Sequence, residues 1–204
     1  MLLSSHGAPA PQPSRWLQRW CHLLPAGARI LDFACGSGRN LRWLAAQGFA
    51  LTGVDRDAAA LAALAGLAEL VVADVEQDPW PLSGRRFDAV LVTNYLWRPL
   101  LPTLVDSVAA GGLLIYETFA DGQQTIGRPA RSDFLLQPGE LLQACRGLRV
   151  VAYEDGFVEG SGEQPGGAIT APRFVQRIVA CRTPPPQARF LLRPPGGPPG
   201  KAGG

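Results

Sequence analysis

The sequence is poor in the residues that build metal sites and disulfide frameworks. Its 204 residues include two histidines and four cysteines. The cysteines are scattered, with no CxxC pair and no histidine cluster nearby: Cys21, Cys35, Cys145 and Cys181. We therefore predict no metal site and no disulfide, and we expect reduced thiols in a cytoplasmic protein.

Long hydrophobic runs and blocks of like charge are also missing. No stretch of about 18 apolar residues is present, so no membrane partner is predicted, and nothing has the pattern of a signal peptide. Lys201 is the only lysine among 19 basic residues, and the formal net charge is +2. Without a basic tract, no nucleic-acid partner is expected. The composition does not predict the oligomeric state.

The composition divides the chain into three parts. Prolines in residues 1–13 predict a flexible arm, and residues 14–182 are enough for one domain with a full core. Residues 183–204 are rich in proline and glycine, which predicts a disordered tail. Within this tail, Phe190-Leu191-Leu192 is either a docking motif or a short run that packs loosely on the domain or not at all.

The domain contains a regular alternation of apolar strands and helices. Strands are predicted over 29–33, 50–54, 69–73, 87–93, 113–116, 148–153 and 173–182, and helices over 15–24, 39–47, 58–68, 99–109 and 138–145. Near-continuous apolar strands separated by helices indicate a mostly parallel sheet that is covered on both faces. The predicted fold is α/β: a doubly wound, Rossmann-like sheet of seven strands with an antiparallel last strand.

The first predicted helix follows Ser14, a good N-cap residue. Trp16 and Trp20 fall on one face of this helix together with Leu23 and Leu24. This apolar face either packs into the core or closes over a ligand beside the first strand.

Residues 30–40 predict a strand, a glycine turn and a helix N-terminus. Such a turn presents backbone N–H groups to a ligand, and a Cβ at Gly36 or Gly38 is expected to hold that ligand away. Dinucleotide sites use GxGxxG, but Leu41 stands where the third glycine belongs. Asp32 precedes the turn, where its charge suits an ammonium better than a pyrophosphate. The spacing favours a nucleoside joined to an amino acid.

Polar residues stand at or near the ends of four predicted strands: Asp32, Asp55, Asp74 and Asn94. Doubly wound sheets bind ligands at the carboxyl ends of their strands, near the point where the strand order reverses. We therefore expect these side chains to converge on one binding site.

The segment from Leu31 to Arg39 resembles the first motif of class I S-adenosylmethionine-dependent methyltransferases, with Ala34 at the place of the first glycine. The resemblance implies S-adenosylmethionine as the cofactor. It implies that Asp55 accepts the ribose hydroxyls, that Asp74 and Val75 contact the adenine, and that Asn94 lies near the methyl group. The cofactor-binding set predicted in this way is Asp32, Ala34, Cys35, Gly36, Gly38, Asp55, Arg56, Asp74, Val75 and Asn94.

The same resemblance places the substrate entrance after the fourth strand. Asn94, Tyr95 and Glu117 are the predicted catalytic residues. The predicted substrate-binding residues are Tyr95, Arg98, Tyr116, Glu117, Arg128 and Arg131. Glu117 either orients the substrate or forms an ion pair, and the two loop arginines either favour an anionic substrate or are merely solvated. The loop over residues 120–133 is expected to be a mobile cover.

Residues 93–100 and 116–119 resemble small bacterial methyltransferases of the tellurite-resistance-like type. The predicted activity is methyl transfer to a small-molecule acceptor by in-line displacement, in which a general base is optional. Three alternatives remain: methylation of RNA or protein, detoxification of tellurite or another oxyanion, and a module that binds the cofactor without catalysis.

Overall fold

A computed structural model describes residues 12–160, 171–185 and 188–192. Its strands are β1 (Arg29–Phe33), β2 (Ala50–Asp55), β3 (Glu69–Val72), β4 (Phe87–Thr93), β5 (Val108–Phe119), β6 (Arg149–Val158) and β7 (Arg173–Cys181). Its α-helices are α1 (Arg15–Trp20), α2 (Arg39–Ala45), α3 (Ala58–Ala62), α4 (Leu101–Asp106) and α5 (Glu140–Ala144). Short 3-10 helices cover Cys21–Leu23, Arg98–Leu100, Gln123–Thr125 and Ser132–Phe134.

The seven strands form one sheet in the order β3-β2-β1-β4-β5-β7-β6. Strands β1 to β5 pair in parallel, and β7 is antiparallel to both β5 and β6. The predicted fold class is thus confirmed. The strand order reverses between β1 and β4, so the carboxyl ends of these strands form the crevice where such sheets bind ligands.

The predicted helix over 99–109 and the strand over 113–116 are wrong at their common boundary. Helix α4 ends at Asp106, and β5 already begins at Val108. Two adjacent glycines, Gly111 and Gly112, lie inside β5, whose register with β4 shifts near its start. A Cβ on Gly112 would lie 2.9 Å from the carbonyl oxygen of Asp88, so only glycine allows this close approach.

Apolar side chains form two clusters, one on each face of the sheet. In the first cluster, Trp16 and Trp20 are each 1% exposed, so the apolar face of α1 is core. The Ser14 hydroxyl caps α1 by accepting hydrogen bonds from the backbone N–H groups of Trp16 and Leu17. Both predictions for this helix, the N-cap and the core packing, are confirmed.

Part of the predicted tail contacts the domain. Phe190 packs against the first cluster and lies under the Arg149 guanidinium, 5.4 Å from the ring centre. His22 Nε2 lies 2.9 Å from the Leu191 carbonyl oxygen. Residues 188–192 therefore rest on the domain, whereas residues 1–11 of the arm and 193–204 of the tail lie outside the described residues.

None of the helices in the described ranges combines the length and the apolar character that crossing a bilayer requires.

Candidate cofactor and acceptor site

A cavity of about 420 Å³ opens at the carboxyl ends of the five parallel strands. It is lined by Phe33, Ala34, Val54, Asp55, Arg56, Ala73, Asp74, Val75, Glu76, Asn94, Tyr95, Leu96, Thr118, Phe119, Pro129 and Phe134. Seven residues predicted from the sequence are among them: Ala34, Asp55, Arg56, Asp74, Val75, Asn94 and Tyr95. The expected convergence of the strand ends on one site is therefore observed for three of its four residues.

The turn after β1 has the left-handed backbone that its glycines predict. Ala34, Gly36 and Gly38 have φ values of 54°, 52° and 74°. Gly38 is required by packing, because a Cβ there would lie 2.5 Å from the Leu64 side chain, whereas a Cβ on Gly36 would meet nothing within 4 Å of the protein. Gly38 therefore makes room for a protein side chain, and the expectation that both glycines also make room for a ligand stays a prediction. Ala34 adopts a conformation that glycine adopts without strain.

The Asp55 carboxylate holds this turn in place. Its Oδ2 accepts a hydrogen bond of 2.7 Å from the Gly36 N–H, and its Oδ1 accepts one of 2.9 Å from the Asp57 N–H. Each carboxylate oxygen can accept two hydrogen bonds, so Asp55 retains acceptor capacity toward the cavity that it lines. That capacity suits a pair of ribose hydroxyls.

Asp32 lies beside the same turn, on the face of the sheet that carries the first cluster. Its carboxylate is fully buried, and neither oxygen has a hydrogen-bond partner in the described part of the chain. Burial raises the pKa of Asp32 to about 7, while the nearby Arg39 guanidinium and Asn40 amide act in the opposite direction. An orphaned buried carboxylate fits the ammonium group of a methionyl ligand, which would supply the missing donors.

Cys35, another predicted residue of the turn, does not line the cavity. Cys35 is buried, its N–H donates to the Val54 carbonyl at 3.1 Å, and its Sγ lies 3.2 Å from where a Cβ on Gly53 would stand. Burial raises the pKa of the Cys35 thiol to about 12, so it stays protonated at neutral pH. Its side chain thus packs against β2.

The end of β3 contributes an acid that the sequence analysis missed. Glu76 lines the cavity next to Val75, and its Oε1 accepts a hydrogen bond of 3.2 Å from the Tyr95 hydroxyl. The Asp74 carboxylate fixes the backbone there by accepting from the Glu76 N–H at 3.2 Å. A second carboxylate two residues after Asp74 was the available signal, but the choice between the two needs the tertiary structure.

Asn94 and Tyr95 line the cavity directly after the end of β4. Asn94 has a φ of 57°, and its N–H donates to the carbonyl of Glu117 at 2.9 Å. The Tyr95 ring packs edge-on against Phe33, with 5.4 Å between the ring centres. Burial, and then the neighbouring Glu76 carboxylate, raise the pKa of the Tyr95 phenol, so it remains a hydrogen-bond donor.

Tyr116 and Glu117 do not line the cavity, which corrects their predicted contact with substrate. Each is 1% exposed. The Tyr116 hydroxyl donates to the carbonyl of Tyr95 at 2.8 Å, so it supports a cavity residue from behind. Glu117 faces the other side of the sheet, where it pairs with Arg177 at 3.2 Å and accepts from the Ser14 hydroxyl at 3.0 Å. The ion-pair alternative for Glu117 is the observed one.

The three predicted substrate arginines also lie outside the cavity lining. Arg98 makes a two-point contact with Glu140 at 2.7 and 2.9 Å and donates to the carbonyls of Asp133 and Leu135. Arg131 pairs with Asp133 at 2.6 Å, and Arg128 is exposed. Two of these guanidinium groups are thus paired and the third is exposed, and a role for the three arginines in substrate binding stays a prediction.

The loop after β5 is held at several points. Gln123 is buried: its Oε1 accepts from the Phe174 N–H at 2.9 Å, and its Nε2 donates to the Arg128 carbonyl at 3.1 Å. The loop therefore presents apolar residues, Pro129 and Phe134, to the cavity. The sequence of this loop did not indicate which of its residues face the cavity.

The sequence of residues 30–111 matches the family model of a methyltransferase domain. A search of curated proteins found no match. The matched segment runs from β1 to the start of β5 and so covers the glycine turn, Asp55, Asp74, Asn94 and Tyr95.

Solved structures of methyltransferases have a similar fold. TehB from Haemophilus influenzae is 18% identical with a TM-score of 0.59, over 76% of this chain and 57% of that one. A TehB-like S-adenosylmethionine-dependent methyltransferase from Corynebacterium glutamicum is 21% identical with a TM-score of 0.57, over 82% and 87%. An S-adenosylmethionine-dependent methyltransferase from Archaeoglobus fulgidus is 17% identical with a TM-score of 0.61, over 82% and 94%.

The chain thus spans little more than half of the Haemophilus protein, and at these identities the likeness concerns the fold. Residues 30–111 therefore match a methyltransferase domain, and the chain has a fold similar to that of solved S-adenosylmethionine-dependent methyltransferases.

Proposed function

We propose that this methyltransferase transfers a methyl group from S-adenosylmethionine to a small-molecule acceptor. The observation that supports this best is the cavity itself, which has a polar end at β1–β3 and an apolar end at β4, β5 and the following loop. A cofactor with two hydroxyls and charged groups suits the first end, and a small organic molecule suits the second.

The cofactor half of the cavity is the end formed by β1, β2 and β3. Here Asp55 would accept the ribose hydroxyls, and Asp74 with the backbone of Val75 would face the adenine. Asp32 would receive the ammonium of the methionyl group from beneath the glycine turn, since its oxygens lack other donors. When bound, S-adenosylmethionine supplies an electrophilic methyl group on a sulfonium.

The acceptor half of the cavity is lined by Asn94, Tyr95, Leu96, Thr118, Phe119, Pro129 and Phe134. These residues would hold the nucleophile in line with the methyl group and exclude water, which is where positioning lowers the barrier. Tyr95 and Asn94 are the polar groups closest to the boundary between the halves, and we assign them to orientation of the acceptor atom.

The alternatives are less well supported. An RNA substrate calls for a basic surface, yet the net charge is +2 and the three loop and strand-end arginines are paired or lie away from the cavity. An oxyanion substrate calls for cationic side chains, and none of the described residues lining the acceptor half is cationic. The acids at the strand ends, Asp55 and Asp74, support cofactor binding. The apolar half of the cavity beside them offers room for an acceptor, which argues against a module that only binds the cofactor.

Cofactor binding tests the proposal directly. We expect calorimetry to detect binding of S-adenosylmethionine and S-adenosylhomocysteine. The Asp55→Ala variant should lose about 1.5–3 kcal/mol of binding free energy for each charge-assisted hydrogen bond removed, which is at least about tenfold in Kd. Asp57→Ala is the matched control, because Asp57 caps α3 and does not line the cavity.

Two results would contradict the proposal. One is tight NAD binding with no binding of either sulfur cofactor. The other is an Asp55→Ala variant that stays folded in a thermal melt and binds S-adenosylmethionine as tightly as the unaltered chain.

A further inference from the structure

The acceptor half of the cavity has a distinctive electrostatic character. The described residues that line it have no charged side chain, and three of them are aromatic: Tyr95, Phe119 and Phe134. The polar groups there are the Asn94 amide and the hydroxyls of Tyr95 and Thr118. A flat apolar body fits such walls, because aromatic faces and edges pack against rings and alkyl groups.

A negative charge is hydrogen-bonded to this half. Glu76 lines the cavity at the end of β3 and accepts the Tyr95 hydroxyl at 3.2 Å, so the phenol connects the acceptor half to a carboxylate. The second carboxylate oxygen of Glu76 has no hydrogen bond from the described residues and retains acceptor capacity.

The arginines near this half are engaged by acids or carbonyls. Arg98 is held by Glu140 and two carbonyls, and Arg131, whose guanidinium lies 5.2 Å from the centre of the Phe134 ring, is paired with Asp133. Among the described residues that line the whole cavity, Arg56 is the one cation, and it follows Asp55 at the β2 side. The lining thus has three carboxylates, Asp55, Asp74 and Glu76, against one guanidinium, a balance that repels an anionic acceptor.

Building on the proposed function, we propose that the acceptor is an amine on a flat apolar body, and that Glu76 takes the proton of this amine through the Tyr95 hydroxyl. Glu76 is a positioning and proton-accepting residue that the motifs of the sequence do not include. The negative charge of the carboxylate attracts the ammonium form of the amine. Its oxygens then accept a proton through Tyr95, which leaves the amine nitrogen with a free lone pair.

The reaction balances with the groups present. The ammonium group gives one proton to the Tyr95 oxygen while the tyrosine's own proton moves along its hydrogen bond to Glu76, so Tyr95 ends neutral and the amine nitrogen has a free lone pair. With S-adenosylmethionine bound, this lone pair would form the bond to the methyl carbon while the C–S bond breaks and its electron pair goes to sulfur, which would leave S-adenosylhomocysteine and the methylated ammonium. One proton ends on Glu76 and leaves to water when the site opens. No oxidant, reductant or metal enters the balance.

Binding of a matched pair of probes tests the charge preference without knowledge of the natural acceptor. The complex with S-adenosylhomocysteine would be titrated with 2-phenylethylamine and with 3-phenylpropionate, which share a phenyl body and differ in head group, and followed by NMR. We expect the amine to bind at least tenfold more tightly. Equal binding, preference for the carboxylate, or no binding of the amine would overturn the proposal.

Variants identify the group that carries the preference. Glu76→Gln should bring the two probe affinities to within about threefold of each other, whereas Glu159→Gln, an exposed acid at the far end of β6, should leave the tenfold preference intact. S-adenosylhomocysteine affinity should stay within twofold in both. A Glu76→Gln variant that loses cofactor affinity instead would place Glu76 in the cofactor half and overturn its assignment to the acceptor.

The cofactor titration separates the two proposals. If the unaltered chain binds neither S-adenosylmethionine nor S-adenosylhomocysteine, the proposed function fails. If it binds the cofactor but the amine is not preferred over the carboxylate, the methyl-transfer function stands and the acceptor class fails.

Discussion

Glu117 and Thr118 are neighbours on β5, and they lie on opposite faces of the sheet. Thr118 lines the cavity. Glu117 enters a buried polar network on the other face, where Ser14 and Arg177 bind it and the Ser14 N–H donates to Asn40 at 3.0 Å. Both faces are polar near the carboxyl end of β5. On one face the polar groups line the cavity, whereas on the other they form hydrogen bonds and ion pairs with one another.

The comparison teaches that polarity at a strand end does not by itself mark a binding residue. In the network around Glu117, the main ion pairs follow the strand register: Arg177 stands opposite Glu117 on β5 and opposite Glu154 on β6. The Asn40 amide donates to Thr93 at 3.0 Å, which ties α2 to the residue before Asn94. This network holds α1, α2 and the four strands β4 to β7 together beneath the site.

The largest expected effect is on stability, from Glu117→Gln. Because Glu117 is 1% exposed, removal of its charge leaves Arg177 with one acidic partner in place of two, and we expect a loss of about 3 kcal/mol in the free energy of unfolding. Denaturant titration measures it. Affinity for S-adenosylhomocysteine should not change in the folded variant.

Glu69→Gln is the matched control, because its pair with Arg85 is exposed and should contribute under about 1 kcal/mol. If Glu117→Gln leaves stability unchanged but abolishes methyl transfer, Glu117 belongs to the reaction and the contrast with Thr118 disappears.

Asp32 gives the next effect, which depends on pH. Its pKa is about 7 in the folded chain and 3.8 as an ordinary aspartate, so the folded state retains a proton that the unfolded state has lost between these values. The stability contributed by Asp32 is therefore complete below pH 4, falls as the pH rises to 7, and stays low above it. We expect Asp32→Asn to be the more stable form at pH 8, by a few kcal/mol.

The difference in unfolding free energy between the two proteins, measured from pH 4 to pH 8, isolates this group from the other carboxylates. A difference that does not vary with pH would mean that Asp32 is ionised in the folded chain throughout. Weaker S-adenosylhomocysteine binding by Asp32→Asn would support the proposed contact between Asp32 and the ammonium group of the cofactor.

The smallest effect is expected at Ala34. Its φ of 54° costs an L-residue about 1 kcal/mol, which Ala34→Gly removes, although glycine also makes the unfolded chain more flexible. The sum should lie between no change and a gain of about 1 kcal/mol in a thermal or denaturant melt. Ala34→Val should lose stability, and a loss in the glycine variant as well would show that the alanine methyl group has a packing role.

The fold was predictable because burial on both faces gives parallel strands an unbroken apolar sequence. All seven strands occur near their predicted positions, but β5 extends beyond its predicted range at both ends, and all five helices are shorter than predicted. Helix α3 ends at Ala62 although it was predicted to continue to Ala68: Gly66 interrupts the run of alanine and leucine with a φ of 82°, and Leu64 packs against Gly38. Propensity cannot anticipate a contact between two such distant segments.

The cofactor half was predictable for a different reason. The glycine turn, Asp55 and Asp74 stand at fixed distances from strands that the sequence already locates. The acceptor half depends instead on a loop whose course is set by Arg98, Gln123 and their backbone partners, and these contacts join residues far apart in the chain.

The sequence alone determined the fold class, the glycine turn after β1, and the acids at the end of β2 and after β3. Each of these depends on local periodicity or on residues next to a strand end. The tertiary structure alone decided on which face Glu117 lies, that Glu76 meets Tyr95, and that the loop arginines turn away from the cavity. Those outcomes depend on strand register and on side-chain pairs between distant segments, and local sequence has no information on either.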